Sequence, residues 1–443
     1  MCAPTGPSHR FRLAVLAACI GFTVACGSTS SGSVTPTATV TGTSTDAPRA
    51  IERARLPVKL HIPGAPDNGA TPVDASEYDF GDYLHIVDLT DGTSELVGSI
   101  PIAPRAGGYE LPVLSPDHAR IAYQSGRAVV VFEVASGRAQ TFSLPAAPST
   151  PTPCHRVRSA LSWAPDSARL AVNTETALTI LDTGSGALRE LDQNTGTPGS
   201  CGVAWSPDGA WIAFASGWLL SLIRPDGSDI VVEHPQGQYA ASYYGGPSEF
   251  VWAPDSTRFF FTGLTAISGK GIGSMSFVSG LDLAASGIPI GDTIAWQTAP
   301  MMHDVHELPF VQALSASGTR AAYRRSDHDE NWNSTDYVET RNIDGTDNQT
   351  LVTFKSGGRS VRDALFWSPD DSLIAYPDVP AGTSIYDGSV RIVNSTGGED
   401  LAAALGPDSF ALANGRRVVC SVDVVGWMSL TRLLTWTSCE GSI

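Results

Sequence analysis

The sequence predicts an all-β fold made from one hairpin written repeatedly along the chain. A Trp-Ser-Pro-Asp-Gly type of segment recurs many times, and each copy is followed at a fixed offset by a short apolar triplet. Charged residues are only 16%, while Gly numbers 44 and Pro 30, and helix-period patterns are scarce. That composition suits short strands joined by many turns.

The clearest copy is Trp205-Ser206-Pro207-Asp208-Gly209, leading to Ile212-Ala213-Phe214. Ser, Pro, Asp and Gly occupy the places a type I turn prefers, with Pro presetting φ at the second corner. The triplet has the aromatic and β-branched character of a buried strand. In chain order the other anchors are Leu114, Trp163, Trp252, Leu314, Trp367 and Trp427. Their triplets start at Ile121, Leu170, Phe259, Ala321, Ile374 and Leu434, always seven positions on. Anchors are spaced from 42 positions (Trp163 to Trp205) to 62 (Trp252 to Leu314). Propeller repeats take roughly 40–50 residues.

On these hairpins the chain resembles TolB-like, or WD40-like (PD40-repeat), β-propellers, over about residues 80 to 440. The resemblance implies blades of four antiparallel strands, A to D from the axis outwards. A strand over Tyr83–Leu89, turned by Asp91-Gly92 into Ser94–Val97, is similar to the outer pair of a blade lacking its inner hairpin. Val422–Trp436 offers an inner hairpin lacking its outer pair. The expectation is therefore a seven-bladed β-propeller whose last blade is closed by N- and C-terminal strands, which would remove exposed sheet edges.

Residues 1–25 read as a lipoprotein signal peptide: His9, Arg10 and Arg12 precede the apolar run Leu13–Ala25, which is short for a bilayer span. Thr23-Val24-Ala25-Cys26-Gly27 resembles a bacterial lipobox, making Cys26 the expected acylated residue of a lipid-anchored (palmitate-bearing) protein. Leu16-Ala17-Ala18-Cys19 is the alternative, with a shorter apolar run before it. Residues 26–79 are expected to be a flexible tether and transition, almost all Ser, Thr, Gly, Ala, Val and Pro up to residue 49, with one candidate strand at Val58–Ile62. Residues 80–443 form the propeller.

Four cysteines remain in the exported body, and an even count outside the cytoplasm suggests two disulfides. Cys420 and Cys439 are equidistant from the centre of the last hairpin and so sit opposite each other. Cys154 and Cys201 each precede an inner strand, one repeat apart. Buried free thiols are the other reading. No paired Cys-x-x-Cys spacing points to zinc.

The long connections fall in the second half: Pro235–Phe250, Leu264–Ser274, Gln297–Val311, Ser326–Thr335, Pro377–Asp387 and Gly406–Arg417. All emerge opposite the short Ser-Pro-Asp-Gly turns, on the face where a rigid scaffold places binding residues. Tyr243, Tyr244, Trp296, Trp332 and Tyr386 are the expected binding side chains, since interface centres are enriched in Tyr and Trp. His303 and His306, three apart beside Asp304 and Glu307, are candidate metal ligands on a loop that fixes no geometry. Asp327, Asp329 and Asn331 follow the Asp-x-Asp-x-Asn alternation of Ca²⁺ loops, without the Gly at the sixth place or the Glu at the twelfth. Surface polarity is the plainer reading of both groups, and no cofactor is expected beyond that Ca²⁺ possibility. Ser242 in Ser242-Tyr243-Tyr244-Gly245-Gly246 lacks the first Gly of a nucleophile elbow, its place taken by Ala240.

Two functional classes follow. The first is a non-catalytic module of the cell envelope, anchored to the membrane by lipid only, monomeric, engaging a protein, peptide or glycan through its long-loop face. The alternative is a metal-assisted propeller enzyme, a hydrolase or lyase with its site over the central channel. The net charge of −17 argues against nucleic acid as the partner.

Overall fold

The computed structural model describes residues 58–62, 81–100, 112–145, 160–173, 177–192, 202–216, 219–228, 231–233, 248–266, 274–282, 310–328, 334–342, 346–355, 359–361, 365–380, 388–398, 401–405, 410–411 and 417–442. Among them there is no helix. The strands are β1 (Val58–Lys59), β2 (Asp82–Asp88), β3 (Thr93–Ile100), β4 (Val113–Leu114), β5 (Arg120–Ser125), β6 (Ala128–Glu133), β7 (Ala139–Ser143), β8 (Leu161–Trp163), β9 (Arg169–Asn173), β10 (Leu178–Asp182), β11 (Leu188–Asp192), β12 (Val203–Trp205), β13 (Ile212–Ser216), β14 (Leu219–Ile223) and β15 (Val231–Glu233). They continue as β16 (Ser248–Trp252), β17 (Arg258–Ala266), β18 (Ser274–Asp282), β19 (Phe310–Leu314), β20 (Arg320–His328), β21 (Ser334–Asn342), β22 (Gln349–Lys355), β23 (Arg359–Val361), β24 (Phe366–Trp367), β25 (Leu373–Pro380), β26 (Ser389–Asn394), β27 (Ala402–Leu405), β28 (Phe410–Ala411), β29 (Arg417–Trp427) and β30 (Arg432–Ser442).

Neighbouring strands assemble into successive sheets, largely antiparallel. Sheets 1 to 3 are β4–β7, β8–β11 and β12–β15; sheet 4 is β16–β18, three strands among the described residues; sheet 5 is β19–β22. Sheet 6 holds β23–β27 with β1 added at its outer edge, and sheet 7 runs β28-β29-β30-β2-β3. In sheet 7 the two ends of the described chain meet, Leu84 opposite Trp436 and Ile86 opposite Leu434. Cys420 lies directly opposite Cys439 and the two form a buried disulfide, with Cα atoms 4.1 Å apart.

The repeated motif explains these sheets atom by atom. In the turn of sheet 3, the Ser206 hydroxyl donates to Asp208 Oδ1 at 2.6 Å and accepts from Trp211 N at 2.9 Å, while Asp208 Oδ1 accepts from Ala210 N at 2.9 Å. The Ser368-Pro369-Asp370 turn repeats the three bonds through Leu373 N and Ser372 N. Sheet 5 lacks the Asp, and Ser317 takes over its place, bonding Ser315 at 3.0 Å. The fourth turn residue takes positive φ, 75° at Gly209 and 68° at Gly318, where a Cβ would meet Pro165 and Pro254 of the preceding sheet at 3.7 and 2.7 Å. Ser206 N–H donates to Trp211 O and Gly209 N–H to Ser206 O, so this is a four-residue hairpin loop built on a type I turn, with its third residue in the left-handed region.

The anchoring Trp ties one sheet to the next. Trp163, Trp252 and Trp427 donate Nε1–H to Val113 O, Ala204 O and Phe366 O of the preceding first strand, at 3.0, 3.1 and 3.0 Å. Trp205 turns its Nε1–H to its own Gly209 O instead. Apolar clusters lie between facing sheets. Ile121 and Phe132 of sheet 1 pack with Leu84 and Trp436 of sheet 7, and Leu161 and Leu170 of sheet 2 with Val129 and Phe142 of sheet 1. Phe214 of sheet 3 meets Ile180 of sheet 2, Tyr376 of sheet 6 meets Val338 of sheet 5, and Val424 of sheet 7 joins Ile392 of sheet 6. Each sheet buries its faces only against its neighbours, as repeat folds must.

Three features depart from the sequence reading. β1 runs parallel to β27, Val58 opposite Ala404, and Val58, Leu60 and Ile62 are buried at the junction of sheets 6 and 7. The expected loops Leu264–Ser274 and Ser326–Thr335 are partly hairpin arms: β17 pairs with β18 as far as Ala266↔Ser274, and β20 with β21 as far as His328↔Ser334. Unbroken antiparallel register carries these strands past the point where composition suggests a loop, because the ladder satisfies backbone groups whatever the side chains. Pro377–Pro380 likewise belongs to β25.

Candidate functional site

The inner hairpins divide the chain into two halves. β9, β10, β13 and β14 are five residues long and β5 and β6 six, whereas β17, β18, β20 and β21 are nine and β29 and β30 eleven. At about 3.3 Å per residue the extra three or four residues add on the order of 10–13 Å. The extra length lies at the ends away from the Ser-Pro-Asp-Gly turns, since β17 and β20 start at those turns and run outward from them. The second half of the chain therefore raises long arms on one side.

Polar pairs with buried carboxylates lie on the arm of sheet 5 and on the neighbouring sheet 6. On β20 and β21, Arg324 Nη2 lies 3.4 Å from Asp336 Oδ2, with the Asp336 side chain only 7% exposed. On β25 and β26, Arg391 Nε lies 3.0 Å from Asp378 Oδ2, whose side chain is 2% exposed. Both pairs share the sheet faces that carry Val338 and Tyr376, so they border the apolar cluster between sheets 5 and 6. Phe354 closes edge-on against Tyr376, ring centroids 6.2 Å apart. On the opposite face of sheet 5 the buried Glu339 accepts from Thr350 Oγ1 at 3.0 Å. Removing the arginine of such a pair leaves its buried aspartate without that partner, which is costly.

Asp327, the first residue of the expected Ca²⁺ alternation, stands on β20 opposite Thr335 rather than in a loop, because the hairpin ladder runs through it. Asp329, Asn331, His303 and His306 lie outside the described residues, as do Tyr243, Tyr244, Trp296, Trp332, Tyr386, Cys26, Cys154 and Cys201. Among the described residues no three His, Cys, Asp or Glu side chains come close enough to hold a metal ion, and no helix is long and apolar enough to cross a membrane. At the short-turn side, a cleft of about 340 Å³ between sheets 1 and 2 is lined mainly by Val113, Leu114, Leu161 and Trp163, an apolar wall with His118 at its edge. Sequence reasoning missed the arm-bracing pairs because Arg324, Asp336, Asp378 and Arg391 sit outside the repeated motif.

No protein-family model and no curated protein matches the chain. Among solved structures it is similar to a putative TolB from Agrobacterium tumefaciens, at 15% identity over 72% of this chain and 99% of that one, with a TM-score of 0.40. It is similar to TolB from Acinetobacter baumannii at 14% identity over 75% and 68% of the two chains, TM-score 0.38. Hydrazine synthase from Kuenenia stuttgartiensis matches at 14% identity over 66% and 80%, TM-score 0.44. The deciding observation is the chain's own repetition of Trp-anchored antiparallel sheets, each packed on the next. The fold is a β-propeller. In propeller terms the nine-residue arms of sheets 4 and 5 are B–C hairpins, the eleven-residue β29–β30 pair is the A–B hairpin of sheet 7, and the short turns are A–B turns.

Proposed function

We propose that this propeller is a non-catalytic binding or scaffold module, and that it engages a protein, peptide or glycan of the cell envelope through the face carrying the long arms. One observation carries the reading: the nine-residue arms of sheets 4 and 5 stand opposite short, self-bonded turns, and the arm of sheet 5 carries the Arg324–Asp336 pair with its buried carboxylate. A rigid scaffold with long projections on one side is built for contact. Seven sheets, the last joined from both chain ends, support a closed seven-bladed ring that holds those arms in register. The buried Cys420–Cys439 disulfide supports an oxidising compartment outside the cytoplasm. Anchoring there by a lipid on Cys26 rests on the lipobox-like sequence.

Photo-crosslinking in intact cells tests the binding face. A crosslinking amino acid at position 266 or 328 should yield adducts to envelope components, and one at Ala210 in the short turn of sheet 3 should not. Adducts from the turn alone overturn the assignment. Mass spectrometry of the mature protein tests the address: the first residue should be a diacylglyceryl-modified Cys26, and an unmodified start elsewhere contradicts it.

A further inference from the structure

On the short-turn side, between sheets 2 and 3, lies a second, open cleft of about 600 Å³. Its wall brings together Arg169 and Arg189 of sheet 2 with Arg224 after β14, and places Asp182 and Asp226 among them. Two of the guanidiniums are positioned by aromatic rings: Arg224 lies 4.3 Å from the Trp211 centroid and Arg169 lies 5.2 Å from that of Trp205. Stacking of this kind fixes the plane of the guanidinium and orients its donors. Arg169 is also paired through Nε with Asp166 Oδ2 at 2.7 Å. Arg189 is exposed on β11 and makes no hydrogen bond or ion pair with any described residue.

The two carboxylates are fixed by their own turns. Asp182 Oδ1 accepts from Ser185 N and Ser185 Oγ at 2.7 Å each and from Gly184 N at 3.1 Å. Asp226 Oδ1 accepts from Ser228 Oγ at 2.6 Å and Ser228 N at 2.9 Å. Those bonds, the Ser185 amide first for Asp182 and the Ser228 hydroxyl first for Asp226, hold both groups below the usual carboxylate range. Among the described residues neither Oδ2 has a hydrogen-bond partner. Arg189 and Arg224 both act on Asp226, so two cations share one anion at this end of the cleft.

A ligand that satisfies this wall offers a carboxylate to Arg189 and Arg224 and N–H donors to the aspartates. Phosphate brings concentrated negative charge against Asp182 and Asp226 and offers them few donors. A basic segment meets three guanidiniums. An extended peptide with an acidic side chain supplies both needs, its carboxylate taken by the planar Arg fork and its amides by the aspartate oxygens. We infer that the cleft between sheets 2 and 3 binds an acidic peptide segment of a protein partner, with Arg189 as its principal charge contact. This surface lies on the side opposite the arms, so it stands whether or not the arms bind a partner.

Fluorescence anisotropy of a labelled peptide alternating Glu and Ser, titrated with the full chain at low salt, tests the inference. Saturable binding is expected. It should weaken about tenfold or more in Arg189→Glu, and likewise when Gln replaces Glu in the peptide. Arg138→Glu, in an exposed turn of sheet 1, should leave it unchanged. Arg189 is exposed and makes no hydrogen bond or ion pair with a described residue, and Arg224→Ala gives a second variant expected to weaken binding; circular dichroism checks that both keep the fold. No saturable binding, affinity indifferent to Arg189→Glu or to the peptide's carboxylates, or displacement by an equal concentration of inorganic phosphate would each overturn it.

Discussion

At the fourth position of the repeated turn, four copies place a side chain where the backbone favours glycine: His118, Ser167, Ser256 and Asp371 have φ between 57° and 62°. A left-handed conformation costs a residue with a Cβ roughly 1–2 kcal/mol. Each of these side chains makes a bond to the neighbouring sheet that glycine cannot make. Ser167 Oγ accepts from Asp117 N at 3.0 Å and Ser256 Oγ from Asp208 N at 2.9 Å. Asp371 accepts from Ala316 N and Ser317 N, and His118 Nδ1 meets Met428 O at 3.1 Å. Where glycine does occupy the place, at Gly209 and Gly318, the proline of the preceding turn packs against it instead. The position thus offsets local strain with inter-sheet contact, and Asp371 separates the two effects. Asp371→Ala keeps the strain and loses both bonds, so it should destabilise by about 1–3 kcal/mol. Asp371→Gly loses the bonds but relieves the strain, and should cost roughly 1 kcal/mol less. Denaturant titration of the two variants checks the order; equal stability of Asp371→Ala and the parent contradicts it.

Among the elements, the segment 58–62 changes most between sequence and structure. The sequence marks a strand at 58–62, and the alternation Val58, Leu60, Ile62 shows which face is buried, but no local pattern reveals its parallel pairing with a strand more than three hundred positions away. The segment reaches His85, fully buried on β2, whose Nε2 lies 2.9 Å from His61 O. Burial pushes the His85 pKa below its ordinary value of 6.5, against the opposing pull of the His61 carbonyl. The ring is therefore neutral in the folded chain, while the unfolded chain takes up a proton below about 6.5. Stability from this group is complete above that pH and is lost as pH falls toward the folded value. Melting temperatures should drop between about pH 7 and pH 5, before the carboxylates titrate, and His85→Gln should flatten that drop. An unchanged slope in the variant would show that His85 does not carry it. The hairpins themselves were legible because the motif fixes them within ten residues. The arms were read as loops because Ser326, Asp327 and His328 have the composition of one, and only their pairing with Ser334–Asp336 reveals a strand.

For the whole molecule, the repeat period and the Trp offset made the propeller legible, including the matching of an outer pair near residue 90 with an inner hairpin near residue 430. The candidate site was less so. Each bracing pair joins two strands of one sheet, and the second cleft joins Arg169 and Arg189 of sheet 2 to Arg224 of sheet 3, so strand register and the packing of sheet on sheet assemble them rather than the motif. The arm face depends on the proposed ring remaining closed, because each sheet has only its neighbours to bury it. The pairing of β2 with β30 is the joint at which that ring is made from two chain ends. The Cys420–Cys439 bridge holds the inner hairpin of the same sheet, with a chain-entropy ceiling on the order of 3 kcal/mol. That bridge leaves β30 without an outer neighbour once β2 is gone. Deleting residues 82–100 tests the account most directly, followed by thermal unfolding and light scattering with the disulfide intact. The expected result is loss of the cooperative transition and association through the bared edge of β30. A monomer that melts with the parent's midpoint and cooperativity would contradict it.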